Sequence, residues 1–290
     1  MDVKIEKLSF ETVSKAVSEI LKISETTLPK DTMIALTRAA EKESNPIAKA
    51  QLESILKNIE IAGAKQVPIC QDTGIFIFFV EIGREIHLDF DLEGAIRDGC
   101  AKATESIPLR PNVVDPLTRH NTKNNLGDGL PEINYSFVPG RNLKITVAPK
   151  GAGSENMSAL KMFTPTEIPK IKEFIVKTVM DAGGKPCPPI ILGIGIGGSF
   201  NQSAKLAKEA LLEELRDPES TGSDAYDDFE KEILTAINSL GIGCMGLGGD
   251  TTALSARIKK ASCHTASLPV AVNVQCWANR HATAIFEGDD

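Results

Sequence analysis

Apolar side chains recur at helical spacing through the amino-terminal part of the chain. Within residues 10–23, Val13, Ala16, Val17, Ile20 and Leu21 fall on one face, and residues 31–41 and 48–61 repeat the pattern. These segments predict core-packing helices. From Gly74 the pattern changes to short apolar runs at 75–82, 143–148, 190–196 and 268–274, which predict buried strands. Between them, 92–106, 167–182, 205–215 and 229–240 read as helices, the last closed by Gly241. The succession predicts a mixed α/β fold in a single domain over 1–290, with a helical region at about 1–63 and an α/β body at about 64–290. Residues 108–139 are rich in Asn, Asp, Gly and Pro and predict a long functional loop, whereas 216–228 predict an acidic surface excursion.

Composition narrows the partners. The 290 residues are 42% hydrophobic, enough for a sizeable core, and their net charge of −7 comes with no basic stripe, which argues against nucleic acid. No apolar run approaches the roughly 20 residues that span a bilayer. The opening Met1-Asp2-Val3-Lys4-Ile5-Glu6 lacks the layout of a signal peptide, so a cytoplasmic protein with no membrane partner is expected. Cysteines without a secretory signal predict reduced thiols or metal ligands rather than a disulfide framework. Cys70, Cys100, Cys187, Cys244, Cys263 and Cys276 form no CxxC pair, so a metal site would have to be assembled from distant segments.

Five short motifs carry candidate chemistry. Cys70-Gln71-Asp72-Thr73-Gly74 joins a soft ligand, an amide, a carboxylate and a hydroxyl at a loop-to-strand junction; its plain reading is turn chemistry beside a buried thiol. Cys187 stands between Pro186 and Pro188, whose fixed backbone suits a preorganised ligand. Gly151-Ala152-Gly153-Ser154-Glu155-Asn156 offers N–H groups for an anion nest, or a tight turn. Arg110, at the entrance to the polar loop, suits a bidentate grip on a carboxylate or a plain surface position. His264, at a strand entry, is either a structural histidine or an acid–base group. The glycine run at 193–198 leading into Ser199 is a weaker pointer to phosphate binding. It lacks a Gly-Lys-Ser/Thr ending, and the acidic residue for a ribose falls at Asp217, in the acidic excursion.

The order of Cys-Gln-Asp-Thr-Gly at 70–74, Arg-Pro-Asn at 110–112, Gly-Ala-Gly-Ser-Glu-Asn at 151–156, Cys-Pro-Pro at 187–189 and the stretch 264–276 resembles that of class I fumarases and tartrate dehydratases. From about residue 10 to the carboxyl terminus the chain is similar to the iron–sulfur hydro-lyase α subunit. The resemblance implies a 4Fe–4S cluster on Cys70, Cys187 and Cys276, with Cys100, Cys244 and Cys263 as structural thiols. With three protein ligands, one iron keeps an open position and acts as a Lewis acid. The resemblance further implies that Asp72 exchanges a proton with the substrate hydroxyl or its water, that His264 orients or tunes Asp72, that Arg110 clamps a carboxylate, and that Gln71 and the Gly153 N–H assist as donors.

The implied reaction is reversible hydration of fumarate to (S)-malate. Dehydration of L-tartrate to oxaloacetate is the alternative, and a non-catalytic nucleotide- or cluster-binding protein is the distant one. Family members with a complete site also have a second domain, of different sequence, that supplies further cationic and hydroxyl residues. The chain is expected to lack it and so to need a β subunit, in a hetero-oligomer of two α and two β chains that takes a small dicarboxylate.

Overall fold

The computed structural model describes residues 2–5, 8–216 and 225–288; most of the expected acidic excursion, Asp217 included, lies outside them. In chain order the elements are β1 Asp2–Ile5, α1 Phe10–Thr26, α2 Lys30–Lys42, α3 Pro46–Lys65, β2 Ile75–Gly83, α4 Leu92–Ser106, β3 Glu132–Val138 and β4 Leu143–Lys150. They continue with α5 Ala152–Glu155, β5 Ala159–Phe163, α6 Ile171–Ala182, β6 Ile190–Gly197, α7 Phe200–Ala210, α8 Ala225–Asn238, β7 Ala253–Ala261, β8 Leu268–Gln275 and β9 Ala282–Phe286. A mixed α/β fold is what the apolar pattern predicts.

The chain forms two compact units, one from Met1–Pro29, Asn58–Gly151 and Arg280–Asp290, the other from Lys30–Lys57 and Ala152–Asn279. Of the amino-terminal helices, α1 belongs to the first unit and α2 to the second.

The first unit is built on a mixed sheet of order β1-β9-β4-β2-β3. Along β2 the residues alternate sides of the pleat. Phe76, Phe78 and Val80 join Ile145 and Val147 of β4 and Ala284 and Phe286 of β9 in one core. Val13, Val17, Ile20 and Leu21 of α1 and Ile96 and Cys100 of α4 complete that core. Ser9 starts α1 with a capping box to Thr12, and the Asp91 side chain caps α4 at Gly94. Antiparallel pairing of β2 with β4 sets Ile75 opposite Lys150, and that of β4 with β9 sets Val147 opposite Ala282. The chain thus enters β2, leaves β4 and enters β9 at one edge of the sheet.

The second unit holds a sheet of order β5-β8-β6-β7, with β6 parallel to β7 and antiparallel to β8. Leu192 and Ile194 of β6 face a core with Ile175 and Val179 of α6 and Ile233 and Ile237 of α8. The alternate residues, Gly193 and Gly195, face α7. A Cβ on either would collide with the carbonyl oxygen of Ala207 or Ser203, so the glycine run exists to let a helix backbone lie against the strand. Five of the six residues of this run, 193–197, belong to β6 itself, so the run is strand rather than a phosphate loop.

Other departures from the sequence pattern have local causes. The helix expected at 205–215 runs Phe200–Ala210; Leu211 and Leu215 are buried beyond its end, and the Leu215 N–H is drawn off to Asp31 Oδ2 at 2.8 Å. Residues Pro165–Lys170 form a 3₁₀ turn with Pro169 inside it, so α6 starts at Ile171. The polar loop expected at 108–139 contains the edge strand β3.

Candidate functional site

Cys70 to Gly74 lie at the edge of the first unit where β2 begins. Ile69 is pinned from both sides: its N–H donates to the Glu25 carbonyl at 2.9 Å, and its carbonyl accepts from Asn58 Nδ2 at 2.8 Å. Gly74 has φ +73°, and a Cβ there would meet the Lys150 backbone at 2.7 Å, so only glycine brings the chain into register with β4. Its N–H donates to Asp72 Oδ1 at 3.0 Å, closing an Asx turn that leaves Oδ2 on the far side. Cys70 and Asp72 are half-buried and Gln71 is exposed.

Arg110 is held beside this turn by its backbone. Its N–H donates to Thr73 Oγ1 at 3.1 Å and its carbonyl accepts from Asn125 Nδ2 at 3.2 Å, while Asn112 Nδ2 donates to the Gly74 carbonyl at 2.9 Å. The guanidinium is exposed. In this unit the structure brings together four of the expected residues: Cys70, Gln71, Asp72 and Arg110.

The same edge contains two groups that motif reading missed. Arg280, just before β9, donates from Nη1 to Glu25 Oε2 at 2.7 Å, with side-chain exposures of only 2% and 0%. Gly151, just after β4, lies between this pair and the turn: a Cβ there would be 3.0 Å from Asp72 Oδ2 and 3.7 Å from Arg280 Nη2. Burial pushes the Glu25 carboxyl up to about 7 against the pull of Arg280, and the nearby Asp72 charge adds to the rise. A Glu in the last turn of an amphipathic helix reads as solvated surface in sequence. It stands among the polar Ser24-Glu25-Thr26, all three of them buried.

In the second unit Cys187 and Cys276 share one edge of the sheet, where β6 begins and β8 ends. The Trp277 N–H reaches the Cys187 carbonyl at 3.4 Å. Cys187 is exposed, with φ +55° and its N–H donating to the Gly184 carbonyl at 3.1 Å, between buried prolines. Cys276 is half-buried, with Gln275 Nε2 3.8 Å from its sulfur. Gly153, in the short α5, is exposed, and a Cβ on it would be 3.5 Å from the Lys185 carbonyl oxygen, two residues before Cys187. Its neighbour Glu155 accepts from Lys208 Nζ at 2.5 Å and Asn273 Nδ2 at 3.0 Å.

His264 is elsewhere in this unit. It is exposed in the turn from β7 into β8, so the whole of β8 separates it from Cys276, roughly 25 Å at 3.3 Å per residue. Its Nδ1 accepts from the Ala266 N–H at 3.1 Å, which leaves the Nε2–H as an outward donor.

The six thiols divide by environment. Cys100 and Cys244 are fully buried, and burial pushes both thiols up, that of Cys244 to about 11, which keeps them protonated. Cys263 is exposed beside His264. Cys70, Cys187 and Cys276 are, like Cys263, accessible thiols in loops at strand ends, donors of the soft kind that iron–sulfur clusters take. Among the described residues no three of His, Cys, Asp and Glu converge on one ion position. A cubane asks for less, since each thiolate binds a different iron. A cavity of about 530 Å³ in the second unit, walled by Ile34, Arg38, Leu234 and Leu254, contains none of these residues.

A sequence profile of the family described as fumarate hydratase (Fumerase) matches residues 14–285. The chain is 50% identical over 275 residues to a Methanocaldococcus jannaschii protein provisionally named L(+)-tartrate dehydratase subunit alpha, covering 93% of this chain and 96% of that one. It is 28% identical over 281 residues to the L(+)-tartrate dehydratase subunit alpha of Escherichia coli O157:H7, covering 96% and 91%. These similarities define the chain as a hydro-lyase. The chain belongs to the fumarate hydratase family, in the class I group that includes tartrate dehydratase α subunits.

Proposed function

We propose that this chain is the α subunit of a two-subunit 4Fe–4S hydro-lyase that reversibly hydrates fumarate to (S)-malate in the cytoplasm. The observation that carries the reading is the turn at 70–74, which sets the Asp72 carboxylate two residues from an accessible thiol and locks Arg110 against Thr73. Cys70, Cys187 and Cys276 would hold the cluster, which when bound supplies an iron with an open coordination position that polarises the substrate hydroxyl.

The chain's own residues do the rest. Asp72, held in its turn by the Gly74 N–H two residues after Cys70, takes or returns the hydroxyl proton. Arg110, with its backbone fixed and its guanidinium exposed, clamps a substrate carboxylate, and the exposed Gln71 amide and Gly153 N–H donate to substrate oxygens. The His264 Nε2–H suits a carboxylate such as Asp72. Because β8 separates it from Cys276, this reading supplies the histidine from a second copy of the chain. The relatives' names as alpha subunits support a β partner that completes the dicarboxylate site in an assembly of two α and two β chains.

L-tartrate dehydration is the second reading, favoured by the names of the same relatives. Co-expression of the chain with its β partner, anaerobic cluster loading and a comparison of kcat/KM on (S)-malate, fumarate and L-tartrate separates the two. A preference for tartrate would replace the main reading, and no turnover of any of them would remove both.

A further inference from the structure

We propose that the buried Glu25–Arg280 pair is a positioning element for Asp72, a role that rests on the reading of Asp72 as the acid–base group. The pair is poorly explained as a source of stability. Desolvating two charges offsets most of their attraction, and apolar residues of similar size hold a core as well or better. Its surroundings explain it instead. Nη1 of Arg280 is committed to Glu25 Oε2 at 2.7 Å, which fixes the plane of the guanidinium and turns Nη2 toward Gly151. Asp72 Oδ2 lies near the same point, 3.0 Å from where a Cβ of Gly151 would be, against 3.7 Å for Nη2. The absent side chain at Gly151 is what lets the carboxylate and guanidinium approach.

Glu25 also reaches the turn through its main chain, since its carbonyl accepts the Ile69 N–H one residue before Cys70. One residue at the end of α1 therefore anchors both the start of the turn and the cation beside its carboxylate. The second oxygen of Glu25, Oε1, is buried with no hydrogen-bond partner among the described residues, a cost with no structural return. Asp72 then has its Oδ1 held by Gly74 and its Oδ2 oriented by the field of a cation that cannot move.

The test is a double-mutant cycle in the cluster-loaded enzyme with its β partner. Glu25→Gln should lower kcat about 10- to 100-fold with KM changed less than about threefold, at unaltered iron and sulfide content. In the Asp72→Asn background it should cost nothing further. Hydrogen exchange should quicken over residues 69–74 in Glu25→Gln, in the chain without cluster as well. Glu25→Asp, which keeps the charge on a shorter arm, should fall between wild type and Glu25→Gln, and it replaces Glu25→Gln if that chain fails to fold. Equal fold-losses in both backgrounds, or an unchanged kcat, would overturn the positioning role while leaving Asp72 as the acid–base group. Normal turnover of Asp72→Asn itself would remove that reading and the positioning role with it.

Discussion

Glu25→Gln has a second consequence, in stability rather than rate. The carboxyl rises from an ordinary 4.5 to about 7 in the folded chain because burial outweighs Arg280, and Asp72 adds repulsion. A raised carboxyl pKa means that the folded state holds the proton more tightly than the unfolded one. The stabilisation is complete below pH 4.5, where both states are protonated, and is lost as pH rises through 7. At 1.36 kcal/mol per pH unit the loss is roughly 3 kcal/mol. Gln stays neutral throughout and carries no such loss. The assay is urea unfolding of wild type and variant at intervals from pH 4.5 to 8. The difference in unfolding free energy should shift toward the variant by about 3 kcal/mol across this window. Taking the difference cancels the opposite slopes of carboxylates held low by their partners, such as Asp98 beside Lys102 and Asp250 at Ser44. Parallel pH profiles for the two proteins would refute the argument, showing that Arg280 keeps Glu25 ionised despite its burial.

Three further outcomes follow from the geometry. Asp72→Asn should keep cluster absorbance and lose about two to four orders of magnitude in turnover, whereas Arg110→Ala should raise KM as well as lower kcat, both read by steady-state kinetics. Gly193→Ala should destabilise the chain by at least about 2 kcal/mol in urea unfolding, since its Cβ meets the backbone of α7. Gly153→Ala, with only an ordinary contact to Lys185, should stay within about 0.5 kcal/mol. Mixing Asp72→Asn and His264→Asn chains during assembly should restore activity at about a quarter of the sites if the histidine is supplied across a two-fold pair. No recovery would deny that exchange.

Strong apolar periodicity was readable in the sequence, and weak periodicity was not. The runs that became β2, β4, β6 and β8 are buried in sheets and start or end within two residues of expectation. β3 is an exposed edge strand inside a polar stretch, and β7 intersperses Arg257, Lys259 and Lys260 among small residues, so neither shows clean alternation. The Cys70–Gly74 turn and the proline-flanked Cys187 were legible because each concentrates reactive groups in a few residues. Glu25 and Arg280 were not, because the two are brought together only by the close of a sheet whose last strand comes from the far end of the chain. The glycine run at 193–198 misled for a related reason. Close helix–strand packing and phosphate binding ask for the same residue type, and only the position of α7 tells them apart.

The central claim is that Cys70, Cys187 and Cys276, and no other cysteine of this chain, hold one 4Fe–4S cluster in a hydro-lyase α subunit. It is tested most directly by replacing each of the six cysteines by Ser, reconstituting under anaerobic conditions, and measuring bound iron, acid-labile sulfide and visible absorbance. The account predicts loss of the intact cluster at positions 70, 187 and 276, with full iron and sulfide content retained at 100, 244 and 263. Normal cluster content in Cys276→Ser, or loss of the cluster in Cys244→Ser or Cys263→Ser with the fold intact, would contradict it.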